Sequence, residues 1–229
     1  MTDRNSKAEH TVFLLDVDNT LLENDRVTAD LRDDLEAQLG PAARDRYFEL
    51  FETLRRELGY ADYLGTLQRY RLEHSHTQCL MSVSRFLIDY PFRDRLYPGA
   101  LAVIEHLQTL GRAVILSDGD VVFQPHKIRR SGLYDAIKGD VLIYIHKEQE
   151  LAEVERLYPT AHYVMVDDKL RLLSTMKGVW GERLTTVFVR QGHYAFNPKE
   201  TEPYPAANIT IERLDALLKF GLEDFSLSE

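Results

Sequence analysis

Short runs of apolar residues rich in valine and isoleucine recur along this chain of 229 residues. Each run has the length of a β-strand, and most of them lack alternating polar positions. That pattern is typical of strands that are buried on both faces of a parallel sheet. The strands predicted in this way cover residues 11–15, 113–116, 141–145, 163–166 and 185–189.

Helical periodicity fills the gaps between the later strands. Residues 99–110 place four aliphatic side chains on one stripe at helical spacing, and Gly111 follows as a helix stop. Three further helices are predicted at residues 147–157, 170–176 and 211–220. Strands that alternate with helices in this order predict an α/β fold, a Rossmann-like three-layer domain with a central parallel sheet.

The segment from residue 23 to about residue 95 interrupts this alternation, because it contains no convincing strand. Gly40 and Gly59 lie where helices are expected to end, and Thr28 is a plausible N-terminal cap. The pattern of this segment predicts four consecutive helices, at residues 28–39, 42–58, 61–73 and 77–89.

The position of this helical segment bears on its role. Ligands of open α/β sheets bind beyond the carboxyl ends of the strands, so a module that leaves the first strand stands over that edge as a lid. Lids exclude water and help to select substrates, whereas an insertion that only enlarges the core is the alternative. We expect a catalytic core domain of residues 1–22 and 96–229 and an inserted all-helical cap domain of residues 23–95.

Polar side chains follow four of the predicted strands, at the point where each strand ends. A lone Asp or Ser after a strand usually forms a turn or caps a helix. Two acids separated by one residue are harder to explain in this way, because they repel each other unless a cation or a reactant compensates. The polar residues at the four strand ends are Asp16, Asp18, Ser117, Lys147, Asp167 and Asp168.

These residue types suit phosphoryl transfer. A carboxylate can attack phosphorus and form an aspartyl-phosphate, and a second acid can protonate the leaving oxygen and later deprotonate water. Acids on separate strands can share one Mg²⁺, while a hydroxyl and an ammonium group hold the remaining phosphoryl oxygens. The sequence therefore predicts a phosphate site and a metal site at one edge of the sheet.

Four motifs in order resemble those of the haloacid dehalogenase superfamily: VFLLDVDNTLL, VILSDGD, the isolated Lys147 and VMVDDK. The stretch LYPGALAVIEHLQTLG before the second motif is similar to the lead-in helix of that superfamily. The resemblance covers about residues 11–190, and the helical segment corresponds to an α-helical cap inserted after the first motif.

The resemblance implies roles for the residues of the first and fourth motifs. Asp16 corresponds to the nucleophile and also to a metal ligand, and Asp18 to the general acid/base. The backbone carbonyl of Asp18 is a further implied metal ligand. Asp168 corresponds to the main Mg²⁺ ligand of the fourth motif, with Asp167 binding directly or through water.

The second and third motifs are implied to bind the phosphoryl group through Ser117 and Lys147. Asp118 stands next to Ser117, where the family commonly has asparagine, and adds a negative charge to the predicted phosphate site. Glu148 follows Lys147 where proline is frequent, so Lys127 stays open as a competing phosphate-binding lysine.

The predicted function is a Mg²⁺-dependent phosphatase of a small phosphorylated metabolite. Asp18 favours this activity over dehalogenation, because a halide leaves without a proton and the dehalogenases lack this second acid. A phosphotransferase or mutase and a dehalogenase-type hydrolase are the alternatives on the same fold. A signalling receiver domain and a non-catalytic binding protein are the alternatives of a different class.

Composition narrows the choice of partners. The net charge of −9 argues against nucleic-acid and membrane-surface binding, which need a basic face, and requires local cations for an anionic substrate. Four cap arginines, Arg55, Arg56, Arg69 and Arg71, are expected mostly on a solvated face. A single cysteine, Cys79, a polar N-terminus and no long apolar run predict a cytoplasmic protein.

Overall fold

The computed structural model describes residues 11–74 and 77–226, with side chains placed throughout these ranges except at residues 77–79. Six parallel strands form one sheet in the spatial order β3-β2-β1-β4-β5-β6. The predicted α/β fold is confirmed. The strands are β1 (Thr11–Leu15), β2 (Arg112–Asp118), β3 (Val141–Tyr144), β4 (His162–Asp167), β5 (Leu184–Val189) and β6 (Ile209–Ile211).

Among the described residues between β1 and β2 there are four α-helices: α1 (Asn24–Leu39), α2 (Pro41–Leu58), α3 (Tyr63–Glu73) and α4 (Thr77–Asp89). The remaining helices are α5 (Ala100–Leu110), α6 (Phe123–Ser131), α7 (Leu133–Ala136), α8 (Leu151–Leu157), α9 (Leu170–Trp180), α10 (Gly192–Ala195) and α11 (Pro198–Thr201). Short 3₁₀ segments cover Phe92–Arg95, Lys147–Gln149, Gly181–Arg183, Leu214–Lys219 and Leu222–Phe225. None of the helices in the described ranges is long and apolar enough to cross a membrane.

Strand β1 lies at the centre of the sheet, hydrogen-bonded to β2 on one side and to β4 on the other. Its five residues are all buried, because Phe13 and Leu15 pack into one core cluster and Val12 and Leu14 into the cluster on the opposite face. This double burial explains why the strand shows no polar alternation. Strand β3, at one edge, is only half-buried along its length.

Helix α1 begins four residues before Thr28, so the prediction that Thr28 caps it is wrong. The backbone N–H of Asp25 instead donates to Asn19 Oδ1 at 3.0 Å, from the loop that follows β1. The glycine stops are confirmed: Gly40 and Gly59, with φ of 86° and 81°, follow the last residues of α1 and α2.

Two elements differ from the sequence pattern. The helix predicted at residues 211–220 is wrong, because Ile209–Ile211 pairs with the edge of β5 and Leu214–Lys219 forms a 3₁₀ segment. Its apolar residues Leu214 and Leu217 still enter the core. Helix α6 escaped prediction because two of its buried positions, Gln124 and Lys127, are polar and so mask the apolar periodicity.

The chain leaves and re-enters the sheet through two adjacent segments at the carboxyl end of β1. The Glu23 N–H donates to the Arg95 carbonyl at 2.8 Å, and the Tyr97 N–H donates to the Leu21 carbonyl at 3.0 Å. These bonds place the helical insert at the edge of the sheet where the predicted site residues lie. A division into two domains at positions 22/23 and 95/96 stays a prediction.

Candidate active site

Asp16 is the first residue after β1, and its N–H continues the sheet by donating to the Val166 carbonyl at 3.0 Å. The side chain is buried, and its Oδ1 accepts a hydrogen bond from Lys147 Nζ at 2.6 Å. Its Oδ2 is buried and has no hydrogen-bond partner in the described part of the chain. A buried carboxylate oxygen without a donor is costly, so this atom is suited to meet a cation or a reactant.

Lys147 follows β3 and is completely buried, with 0% of its side chain exposed. Its Nζ lies 2.6 Å from Asp16 Oδ1 and 2.7 Å from Asp167 Oδ2. Burial opposes the charged form, but Asp16 and Asp167 outweigh it, so the pKa of Lys147 is raised. The structure therefore brings a protonated lysine to the predicted nucleophile.

Asp16, Asp167 and Asp168 each offer one carboxylate oxygen to a buried cluster, and these three oxygens lie within 4.8 Å of one another. Neither oxygen of Asp168 has a hydrogen-bond partner among the residues described. Burial raises the pKa of both Asp167 and Asp168, and the neighbouring carboxylates raise it further, despite the opposing charges of Lys147 and Lys169. Hard oxygen ligands at this spacing fit a divalent cation such as Mg²⁺.

Asp18 lies two residues beyond Asp16 and faces the space under the cap, with 24% of its side chain exposed. Its Oδ1 accepts from Lys127 Nζ at 2.6 Å, and its Oδ2 lies 3.4 Å from Gln124 Nε2. The two acids of the first motif therefore have different partners: Asp16 pairs with the buried Lys147 that follows β3, and Asp18 contacts side chains of helix α6.

Ser117 and Asp118 end strand β2 beside this cluster. Ser117 is buried, and its hydroxyl accepts a hydrogen bond from Gln124 Nε2 at 2.9 Å. Asp118 Oδ1 accepts the backbone N–H of Lys147 at 2.7 Å, so it fixes the loop that carries the lysine. Burial raises the pKa of Asp118, with the positive charge of Lys147 acting in the opposite direction.

The candidate catalytic side chains at the strand ends lie in the part of the chain that matches a known protein family. A family model described as haloacid dehalogenase-like hydrolase matches residues 10–178. This chain belongs to the haloacid dehalogenase-like hydrolases. The resemblance of the four motifs to that superfamily is confirmed. No curated protein shows significant similarity to the chain.

Three solved structures are similar to this chain, and the first of them supports its membership of the family. A protein from Burkholderia xenovorans assigned to the haloacid dehalogenase-like hydrolases has 60% identity and a TM-score of 0.89, covering 93% of this chain and 99% of its own. YfnB from Bacillus subtilis, in a structure bound to magnesium, has 19% identity and a TM-score of 0.61, covering 93% and 100%. An L-2-haloacid dehalogenase from Xanthobacter autotrophicus has 18% identity and a TM-score of 0.61, covering 91% and 96%. The latter two likenesses concern the fold alone.

A cleft of about 590 Å³ separates the strand ends of this hydrolase from the helical insert. Asp18 and Lys169 line it from the sheet, and Arg32 and Arg55 line it from the insert. Arg55 therefore departs from the solvated face predicted for the cap arginines, whereas Arg56 is exposed outside the cleft. The other two also lie at the surface: Arg69 pairs with Glu57, and Arg71 is exposed.

Sequence reasoning missed three parts of this site: Gln124 on α6, Asn24 at the start of α1, and the short helix α10 that follows β5. From α10, the His193 N–H donates to Asp25 Oδ2 in the insert at 2.7 Å. The one available signal was Lys127, which the sequence offered as a rival to Lys147. Both lysines enter the site, but they contact different carboxylates.

Proposed function

We propose that this hydrolase releases phosphate from a small phosphorylated metabolite, in a Mg²⁺-dependent reaction that passes through phosphorylated Asp16. The observation that carries the proposal is the pair of inequivalent acids after β1. Asp16 is buried against Lys147, whereas Asp18 faces the cleft and can exchange protons with a bound molecule. Dehalogenation requires no such second acid, because a halide leaves unprotonated.

Asp16, Asp167 and Asp168 are the residues that would hold the metal ion, since their oxygens converge and several of them lack donors among the described residues. The backbone carbonyl of Asp18 stays a proposed further ligand. A bound Mg²⁺ supplies positive charge that offsets the carboxylates and the phosphoryl oxygens. The raised pKa values of Asp167 and Asp168 mean that protons compete for the same oxygens.

In the first proposed step, an Asp16 carboxylate oxygen attacks phosphorus as the bond to the ester oxygen breaks. Asp18 gives its proton to the leaving oxygen and becomes a carboxylate. In the second step Asp18 accepts a proton from water, whose oxygen bonds to phosphorus while the bond to Asp16 breaks. Inorganic phosphate leaves, and both acids return to their starting states.

Lys147 and Ser117 are proposed to bind the transferring phosphoryl group. The Lys147 ammonium lies 2.6 Å from Asp16 Oδ1, so a phosphoryl group that binds next to Asp16 is also close to this positive charge. The Ser117 hydroxyl accepts from Gln124, and its own proton, which it gives to the Asp118 carbonyl at 3.3 Å, can turn to a phosphoryl oxygen. Asp118 contributes by holding the Lys147 loop through a backbone hydrogen bond, which gives this acidic residue a place in a phosphate site.

The test is phosphate release from p-nitrophenyl phosphate, measured with excess MgCl₂ and with EDTA, beside halide release from 2-chloropropionate. We expect Mg²⁺-dependent phosphate release and no halide. Asp16→Asn should abolish it, and Asp18→Asn should lower it by about 10²–10⁴-fold, because hydrolysis of phosphorylated Asp16 in the second step needs Asp18 as a base even when the leaving group needs no acid. Asp33→Asn, which alters an exposed acid on α1, is the matched control. Halide release without phosphate release, or full activity in Asp16→Asn, would contradict the proposal.

A further inference from the structure

Helix α6 presents two buried polar side chains to the active site, Gln124 and Lys127, which are 3% and 1% exposed. Residues three apart share one face of a helix, so both point to the same place. Lysine is rarely buried to this degree unless its charge is paired. The question is which group Lys127 serves.

The contacts of Lys127 are specific. Its Nζ donates to Asp18 Oδ1 at 2.6 Å and to Asn24 Oδ1 at 3.0 Å, and it lies 5.5 Å from the centre of the Phe123 ring. Asp16 is served by a different lysine, Lys147. The charge of Lys127 is therefore directed to the second acid of the first motif and not to the nucleophile.

We infer that Lys127 is a positioning residue that fixes the orientation of the Asp18 carboxyl group for proton exchange with the leaving oxygen. This inference rests on the proposed function. Oδ1 is held by Lys127 and Oδ2 lies 3.4 Å from Gln124 Nε2, so rotation of the carboxyl group is restricted while Asp18 lines the cleft. Restricting a catalytic group to its productive geometry is a large source of rate enhancement.

Asn24 extends the arrangement to the insert. It is the first residue of α1, and it receives its bond from the same Nζ that holds Asp18. Helix α6 makes a second contact with the insert, because the ring centre of Phe123 lies 5.2 Å from that of Tyr63, the first residue of α3. Lys127 thus links Asp18 to Asn24, the first residue of the helical insert's first helix.

Lys127 forms and breaks no covalent bond in this scheme. The proton moves between Asp18 and the ester oxygen as the phosphorus–oxygen bond breaks, and between water and Asp18 in the second step. Because kcat/KM reports the steps up to phosphorylation of Asp16, a positioning role predicts that the loss of Lys127 lowers kcat/KM only where the leaving oxygen needs the Asp18 proton. A purely structural role predicts the same loss for every substrate.

The test compares kcat/KM for phenyl phosphate and p-nitrophenyl phosphate, two substrates of similar shape. Phenolate is a basic leaving group that needs a proton, since a phenol has a pKa of about 10, and the nitro group stabilises the anion that leaves without one. Lys127→Met keeps the length of the side chain and removes its charge. We expect a loss of about 10–100-fold for phenyl phosphate and at most a few-fold for p-nitrophenyl phosphate.

Two comparisons sharpen the result. Arg130→Met removes a positive charge from an exposed position of the same helix and should leave both values unchanged. In an Asp18→Asn background, Lys127→Met should cause no further loss for phenyl phosphate, because residues that act as a unit are not additive. Equal losses on the two substrates, or an additive loss in that background, would overturn the inference.

The folding of each variant is checked by its thermal unfolding. If Lys127→Met fails to fold, Lys127→Arg keeps the charge but changes its geometry, and it should lower the phenyl phosphate value more than the p-nitrophenyl phosphate value. An unchanged ratio in that variant counts against the positioning role. Absence of phosphate release from both substrates by the unaltered chain would instead refute the proposed function itself.

Discussion

Lys147 neutralises part of the negative charge of Asp16 and Asp167, whereas Asp168 receives no hydrogen bond at either oxygen from the residues described. Buried carboxylates that repel one another lower the stability of the folded state, and they are retained where a ligand compensates them. Asp168 is thus the residue at which stability and metal binding should oppose each other most clearly.

We expect Asp168→Asn to raise the Tm of the metal-free protein by about 2–4 °C, the shift that ~1 kcal/mol produces in a chain of this size. The same substitution should remove the increase in Tm that excess MgCl₂ gives the unaltered protein. Thermal unfolding in EDTA and in MgCl₂ measures both effects, with Asp33→Asn as the control. An undiminished MgCl₂ effect in Asp168→Asn would contradict the proposed ligand set.

At the scale of elements, helix α10 after β5 and helix α1 are joined through Asp25. Its carboxylate accepts bonds from the His193 N–H at 2.7 Å and from Asn19 Nδ2 at 3.0 Å. Burial raises the pKa of Asp25, but the hydrogen bonds from His193 and Asn19 outweigh it and hold the pKa below its usual range. Gly192, with φ of +68°, allows the close approach, since a Cβ there would lie 2.5 Å from Asn19.

This lowered pKa gives a definite pH dependence. A carboxyl group with a folded pKa below its unfolded value of 3.8 stabilises the protein above that pH, and the contribution is lost as the pH falls through the folded pKa. The unaltered protein should therefore be more stable than Asp25→Asn at pH 6, and the difference should shrink below about pH 4. Urea unfolding across this range measures it. A difference that stays constant down to pH 3 would contradict the assignment.

At the scale of the whole molecule, a net charge of −9 opposes the approach of an anionic substrate. The cleft counters it locally with cations from both sides, among them Lys169 from the sheet and Arg55 from the insert. The Arg55 guanidinium lies 5.4 Å from the Tyr194 ring, and its pairing with Glu52 is loose at 3.6 Å. Its charge is therefore available to a ligand.

We expect Arg55→Ala to raise the KM for p-nitrophenyl phosphate about 3–10-fold with little change in kcat, because the lost attraction acts on binding. Arg56→Ala, at the adjacent exposed position, should leave KM within about twofold. Added NaCl should reduce the difference between the Arg55 variant and the unaltered protein. Equal KM values for the two variants would place Arg55 outside the substrate's reach.

The sequence alone determined the parts of the molecule that local pattern encodes. Strands β1, β2, β4 and β5 are recognisable in the sequence because burial on both faces requires continuous apolar residues. The ends of α1 and α2 are recognisable because each is followed by a glycine with positive φ, which few other residues adopt. The strand prediction also indicates that the acids and the lysine at the strand ends lie close together, because parallel strands have their carboxyl ends at one edge of the sheet.

The tertiary structure decided what depends on residues far apart in the chain. Lys127 and Asp18 are 109 positions apart, so their pairing arises only once α6 reaches the loop that follows β1. The same holds for β6, whose three residues become a strand through pairing with β5, and for Arg55, whose cleft position is set by the packing of the insert. The periodicity of apolar residues does not predict such contacts, because it shows which face of a helix or strand is buried and not which distant residues pack against that face.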